Sequence, residues 1–168
     1  MEIFAAKGQE LVFGNRPVAM LKTNRGLIAM VEYHGGLGVG TADTSYSKSF
    51  HGLNALIGYQ LNRSFIIAFG TGVSVYNGGA LMPIYGDMRY TFLLDKIAPY
   101  LYGDAGLILS FYDLNKTRIF LNPGMGARYS LSRRFALNIA AGIFIQSGTS
   151  GAGQDAFVNL RTGVTYKF

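Results

Sequence analysis

The sequence predicts an all-β chain closing into an eight-stranded antiparallel up-and-down transmembrane β-barrel. Three observations carry this. From Gly26 to Phe168, apolar residues alternate with polar or small ones in eight successive stretches, the period of two that belongs to strands. No Asp, Glu, Lys or Arg falls on the apolar face of any stretch, whereas the strand charges all share the other face. No run approaches the ~18 or more apolar residues of a membrane helix, so any crossing has to be made by strands.

The totals agree. With 168 residues the chain is one domain. It is rich in glycine (23) and aromatics (14%), and its 14% of charged residues lies well below the ~25% of a soluble domain. The absence of cysteine excludes disulfides, thiolate metal sites and cysteine nucleophiles. A net charge of +6 points to anionic partners, here lipid headgroups or the phosphates of lipopolysaccharide, because no nucleic-acid motif is present. The start, Met1-Glu2-Ile3-Phe4, lacks the basic region and apolar core of a secretory signal, which suits an exported chain given a new start codon.

Residues 1–25 carry no sustained period and are punctuated by Pro17 and Asn24-Arg25; they read as an extension preceding a barrel over 26–168. The first strand sets Val31, Tyr33, Leu37 and Val39 against Glu32, His34, Gly36 and Gly38. A polar loop over 41–48 follows, then Leu53, Ala55, Ile57, Tyr59 and Leu61 against Asn54, Leu56, Gly58 and Gln60. Asn62-Arg63-Ser64 is a tight turn into Phe65, Ile67, Phe69, Thr71, Val73 and Val75, and Asn77-Gly78-Gly79 turns the chain again. The fourth strand carries Met82, Ile84, Met88, Tyr90 and Phe92 against Tyr85, Asp87, Arg89 and Thr91. After Asp95-Lys96, the fifth sets Leu101, Ala105, Leu107 and Leu109 against Tyr100, Tyr102, Asp104 and Gly106. A loop over 110–118 leads to Ile119, Leu121, Met125, Ala127 and Tyr129, opposite Asn122, Gly124, Gly126 and Arg128. Ser132-Arg133-Arg134 turns into Phe135, Leu137, Ile139, Ala141, Ile143 and Ile145. A glycine-rich loop over 147–154 opens the last strand, with Ala156, Val158, Leu160, Thr162, Val164, Tyr166 and Phe168 on one face and Asn159, Arg161, Gly163, Thr165 and Lys167 on the other.

Charges that share a face with glycines fit a narrow interior, the polar-in, apolar-out arrangement of a membrane barrel. A soluble lipocalin-type barrel would fill its interior with the apolar face, and its Gly-x-Trp signature is impossible in a chain without Trp. On the apolar face, Tyr59, Phe65, Tyr90, Phe92, Tyr129 and Phe135, with Tyr166 and Phe168, all fall beside short turns or the C-terminus, as an aromatic girdle at one membrane interface does.

A terminal strand ending Gly163, Tyr166, Phe168 resembles the C-terminal insertion signal of bacterial outer-membrane barrels. From about 26 to 168 the chain resembles the small eight-stranded barrels of the OmpX and OmpA membrane-domain type, including Leu81–Tyr90 followed by Ala98-Pro99-Tyr100. This resemblance implies a monomer in a Gram-negative outer membrane, delivered by the barrel-assembly machinery through its C-terminal strand. Both termini and the short turns would be periplasmic and the longer loops would face outward.

Glu32, Asp87, Asp104, Arg89, Arg128 and Arg161 fall at one depth of the interior, where three acids and three arginines would form a neutral layer. Arg89 with Asp104 on adjacent strands, and Glu32 with Arg161 across the closing seam, are the expected pairs. Above them Gly36, Gly38, Gly40, Gly52, Gly70 and Gly72 suggest an outward-opening cleft floored by His34, or equally glycines serving curvature and close strand approach. His51, near Ser47 and Ser49 at the outer rim, is the one candidate for interfacial lipid chemistry, but no hydrolase signature surrounds it. No metal-ligand spacing occurs and no cofactor is expected. Lys48, Lys116 and Arg118 are candidate contacts for lipopolysaccharide phosphates. The expected function is therefore non-catalytic: membrane integrity or surface contact, with the lumen closed by ion pairs. A narrow solute channel is the main alternative, and an interfacial lipid-modifying enzyme the second.

Overall fold

The computed structural model describes residues 25–40, 48–92, 97–110, 117–147 and 154–168. Eight strands follow one another: β1 (Gly26–Gly40), β2 (Ser49–Gln60), β3 (Phe65–Tyr76), β4 (Gly79–Thr91), β5 (Ile97–Ser110), β6 (Arg118–Ser130), β7 (Phe135–Ser147) and β8 (Gln154–Lys167). Each pairs antiparallel with its neighbours in sequence, and β1 pairs with β8, so the sheet closes and has no edge. Closure matters in lipid, where an unpaired backbone group has no water to turn to. The strands are 12 to 15 residues long. At ~3.3 Å per residue and ~40° of tilt that is about 30 Å of height, enough for a hydrocarbon layer.

Inside and outside follow the parity read from the sequence. Leu37, Leu53, Ile57, Ile119, Met125, Ile139 and Leu160 are among the apolar side chains exposed on the outer wall. Glu32, Asp87, Arg89, Asp104, Arg128 and Arg161 are buried within. A folded chain that exposes its Ile and Leu while burying its Asp and Arg is inside out relative to a water-soluble protein.

Two of the turn-end connections are built alike. In Leu61–Phe65 the Asn62 side-chain oxygen accepts from the N–H groups of Ser64 and Phe65, both at 2.8 Å. In Leu131–Phe135 the Ser132 hydroxyl accepts from Arg134 and Phe135 at 3.2 and 3.1 Å. Such local acceptors fix a turn without help from the sheet. At the opposite end, Tyr76 pairs with Gly79, leaving Asn77-Gly78 as the connection, and the positive φ of Gly79 (135°) is what reserves that position for glycine.

The boundaries differ from expectation at the loop ends. β2 begins at Ser49, Ser110 belongs to β5 and Arg118 to β6, so the strands run further toward the loop end than the alternation of large apolar residues suggested. Most of the expected N-terminal extension (1–24), the loop tips and Lys116 lie outside the described residues.

Candidate functional site

The site is the barrel interior, which is layered. At its middle, Glu32 of β1, Asp87 and Arg89 of β4, Asp104 of β5 and Arg161 of β8 form one network. Arg89 grips Asp87 two residues back on its own strand, through Nε at 2.9 and 3.1 Å and Nη2 at 2.9 Å. It also reaches Glu32 at 2.8 Å. Arg161 bridges Glu32 at 3.3 Å and Asp104, with Asp87 at 4.0 Å. Asn122 donates to Asp104 at 3.0 Å. Charges taken out of water need such partners.

Two expectations are corrected here. Arg89 pairs with Asp87 and Glu32 rather than Asp104. The register sets Asp87 directly opposite Asp104 and Arg89 opposite Tyr102. Two facing carboxylates repel, and each is served by a different arginine. Arg128 stands apart from the carboxylates: its Nε donates to Asn138 at 3.1 Å, and its guanidinium lies 6.0 Å from the ring centre of Tyr100. Arg89 lies 5.6 Å from that same ring. Arg128 starts nearer the turn end than Asp87 and Asp104, and Tyr100 fills the space between.

Above the network the glycines do not open a cleft. A Cβ at Gly36 would fall on the ring of Phe50, one at Gly70 on Tyr85, and one at Gly52 on the imidazole of His34. Rings laid across neighbouring glycines occupy the loop-side half of the lumen. Phe50 of β2 stacks on Tyr76 at 5.2 Å and meets Phe144 of β7 at 5.2 Å and Phe157 of β8 at 5.3 Å. Phe120 stacks on Phe144 at 4.9 Å. Offset and edge-to-face rings at these separations are in contact. His34 lies beneath, 3.2 Å from the Ser74 hydroxyl and 5.4 Å from the Phe50 ring.

This aromatic layer went unread in the sequence. Its members are lone inward aromatics, each near the loop end of a different strand, and their signal lay in the glycines opposite them. Above it, Tyr76, Gln146 and Asp155 form a hydrogen-bonded polar rim. Arg118 faces into that rim, 4.0 Å from Asp155, and is largely buried, so it is not the outward phosphate contact expected of it. Toward the turn end, Asn138 donates to Thr165 at 2.7 Å and Lys167 to Gln60 at 3.2 Å.

On the outer wall the girdle residues gather at the turn end. Phe65 faces Tyr90 and Phe135 faces Tyr166 across strand pairs. Ring centres lie 5.2 Å apart for Tyr90–Phe92 and 5.0 Å for both Phe135–Tyr166 and Tyr166–Phe168. Tyr59 and Tyr129 end the adjoining strands, and Gly163 sits over the Glu32 side chain inside the closing seam. His51 points outward between Gly35 of β1 and Val75 of β3. Among the described residues no group of three or more His, Asp or Glu is placed to hold a metal ion.

No family model matches this chain, and no curated protein matches it in sequence. Solved structures do match in shape. Neisserial surface protein A superposes with a TM-score of 0.71 at 15% identity, over 87% of this chain and 100% of that one. OprG, an outer membrane protein of Pseudomonas aeruginosa, gives 0.57 at 12% identity over 89% and 99%. The fold is that of the small outer-membrane β-barrels. Ail, the attachment invasion locus protein of Yersinia pestis, matches at 0.50 and 12% identity over 85% and 99%. At such identities the barrel is shared as architecture, and its interior has to be read from its own residues.

Proposed function

We propose that this chain is an integral outer-membrane protein with a structural or surface-contact role, its lumen closed to solutes and without catalytic activity. One observation carries the reading: an apolar outer wall surrounds an interior crossed by a layer of packed rings and, beneath it, a network of paired charges. An eight-stranded barrel is just wide enough for its side chains to fill, and here they meet across it. Solute passage would require both the Phe50–Phe144–Phe157 contacts and the Arg161 bridges to part. In this reading both termini and the β2–β3, β4–β5 and β6–β7 turns are periplasmic, and the protein is a monomer. Gly163, Tyr166 and Phe168 present the last strand to the barrel-assembly machinery. The loops between β1 and β2, β5 and β6, and β7 and β8 face outward toward lipopolysaccharide or another cell-surface partner. His51, exposed at the outer wall, is an interfacial residue rather than a catalytic one.

The test is single-channel recording of the refolded protein in a planar bilayer, with heat-modifiable gel migration as the proof of folding. A folded, silent barrel is the expected result. Steady conductance would replace this reading with that of a narrow channel.

A further inference from the structure

Between the ring layer and the ion network lies a cavity of about 10 Å³, close to the room that one water molecule needs. Phe120 and Phe144 line it from the ring layer, and Asp104 and Arg161 from the network. Asn54 of β2, Tyr85 of β4 and Asn122 of β6 supply more of its wall.

The polar members of that wall, Asn54, Tyr85, Asp104, Asn122 and Arg161, are each at most 5% exposed. Each also carries a side-chain atom with no hydrogen-bond partner among the described residues: Oδ1 of Asn54, Asp104 and Asn122, the Tyr85 hydroxyl, and Nε of Arg161. The ion network itself produces part of this pattern. Asp104 commits Oδ2 to both Arg161 and Asn122, which leaves its Oδ1 over. Asn122 commits its Nδ2 to the same contact and is left with an acceptor. Buried polar atoms are costly without partners, so five of them around so small a space point to an occupant that bonds several at once.

Their chemistry selects the occupant. The three Oδ1 atoms accept, Arg161 Nε–H donates, and the Tyr85 hydroxyl does either. A cation would suit the acceptors but face the Arg161 guanidinium. An anion would suit the donors but face the Asp104 carboxylate. An apolar guest would leave every one of these atoms unserved. Water alone among these donates and accepts together.

We propose that this cavity is a binding site for a single internal water molecule, which donates to Oδ1 of Asp104 and accepts from Nε of Arg161 or the Tyr85 hydroxyl. The site deepens the closed-lumen reading and rests on it, because the rings on one side and the Arg161 bridges on the other are what part this water from bulk. It also gives the inward asparagines at 54 and 122 a purpose: an apolar side chain would occupy their space but give the water no acceptor.

The test is a crystal structure of the refolded full chain at a resolution that orders internal water, from crystals grown with rubidium chloride as the only salt. The expected map holds one isolated peak in the cavity, ~2.7–3.2 Å from Asp104 Oδ1 and from Arg161 Nε or the Tyr85 hydroxyl. It should give no anomalous signal at the rubidium absorption edge. A rubidium signal there would make this a cation site and overturn the proposal. A cavity without density, or one that Asn54 and Asn122 close by turning onto Asp104 and Tyr85, would overturn it as well. The two readings fail differently. A file of waters running from the cavity past Phe50 and Phe144 to the rim would remove the single site and the closed lumen together, whereas a dry cavity beneath intact rings would remove the site alone.

Discussion

Arg89→Met probes the interior most sharply. Arg89 is 1% exposed and is the only described partner holding Asp87 at hydrogen-bond distance. Its removal leaves Asp87 with Arg161 at 4.0 Å, while Glu32 keeps Arg161 at 3.3 Å. Breaking a buried pair on one side costs about 3–5 kcal/mol, because the other charge stays behind without a partner. Methionine keeps much of the volume, so the loss is electrostatic rather than a cavity. Removing both members, as Arg89→Met with Asp87→Leu, should recover ~1–3 kcal/mol of that loss, the coupling range for contacting residues. The assay is reversible urea unfolding in phospholipid vesicles, followed by circular dichroism and by gel mobility. A single-variant cost below ~1 kcal/mol, the worth of an exposed ion pair, would mean that these carboxylates already see water. The filled interior would then be wrong.

Three further outcomes follow from the layers and the wall. Phe157 is fully buried among Phe50, Phe144 and Tyr76, so Phe157→Ala should cost ~3–5 kcal/mol in the same assay. The barrel should nevertheless stay silent in a bilayer, because the Arg161 network beneath remains. A Cβ at Gly72 would fall on the Leu53 carbonyl, whereas one at Gly86 meets nothing within 4 Å. Gly72→Ala should therefore lose ~1–3 kcal/mol by overpacking and Gly86→Ala almost nothing. Ile139, 65% exposed at mid-wall, should tolerate Arg poorly, at ~2–4 kcal/mol; Leu131→Arg at the turn end should cost ~0–1 kcal/mol, both read from unfolding in vesicles.

Much of the fold was legible because its rules are local. Alternation along each strand separates Ile57 from Leu56 whatever the partner strand does, and the tight turns at Asn62 and Ser132 carry their own acceptors. The gathering of outer-wall aromatics at the turn end was legible for the same reason, since proximity to a turn sets height along the barrel. Pairing inside the barrel was not. Whether Arg89 lies opposite Asp104 depends on the stagger between β4 and β5, and a shift of two residues, which keeps every side chain on its own face, decides it. The aromatic layer was hidden because Leu56, Phe50 and Phe120 occupy the face that the charges marked as polar. Inward Phe50 acquires meaning only once Gly36 is known to lie beside it. Arg118 shows the complementary difficulty: a charge beside a loop reads as solvated until Asp155, far along the chain, is brought opposite it.

The central claim is that one face of every strand lies in hydrocarbon and the other inside the barrel. Because the chain lacks cysteine, single cysteines introduced along β8 from Ala156 to Tyr166 can each carry a nitroxide without background. In vesicles, accessibility to oxygen should rise at Val158, Leu160, Thr162 and Val164 and fall at Asn159, Arg161 and Gly163, with a water-soluble relaxer excluded from the first set. Oxygen accessibility without that period of two, or free access of the water-soluble relaxer to Val158 and Leu160, would contradict the account.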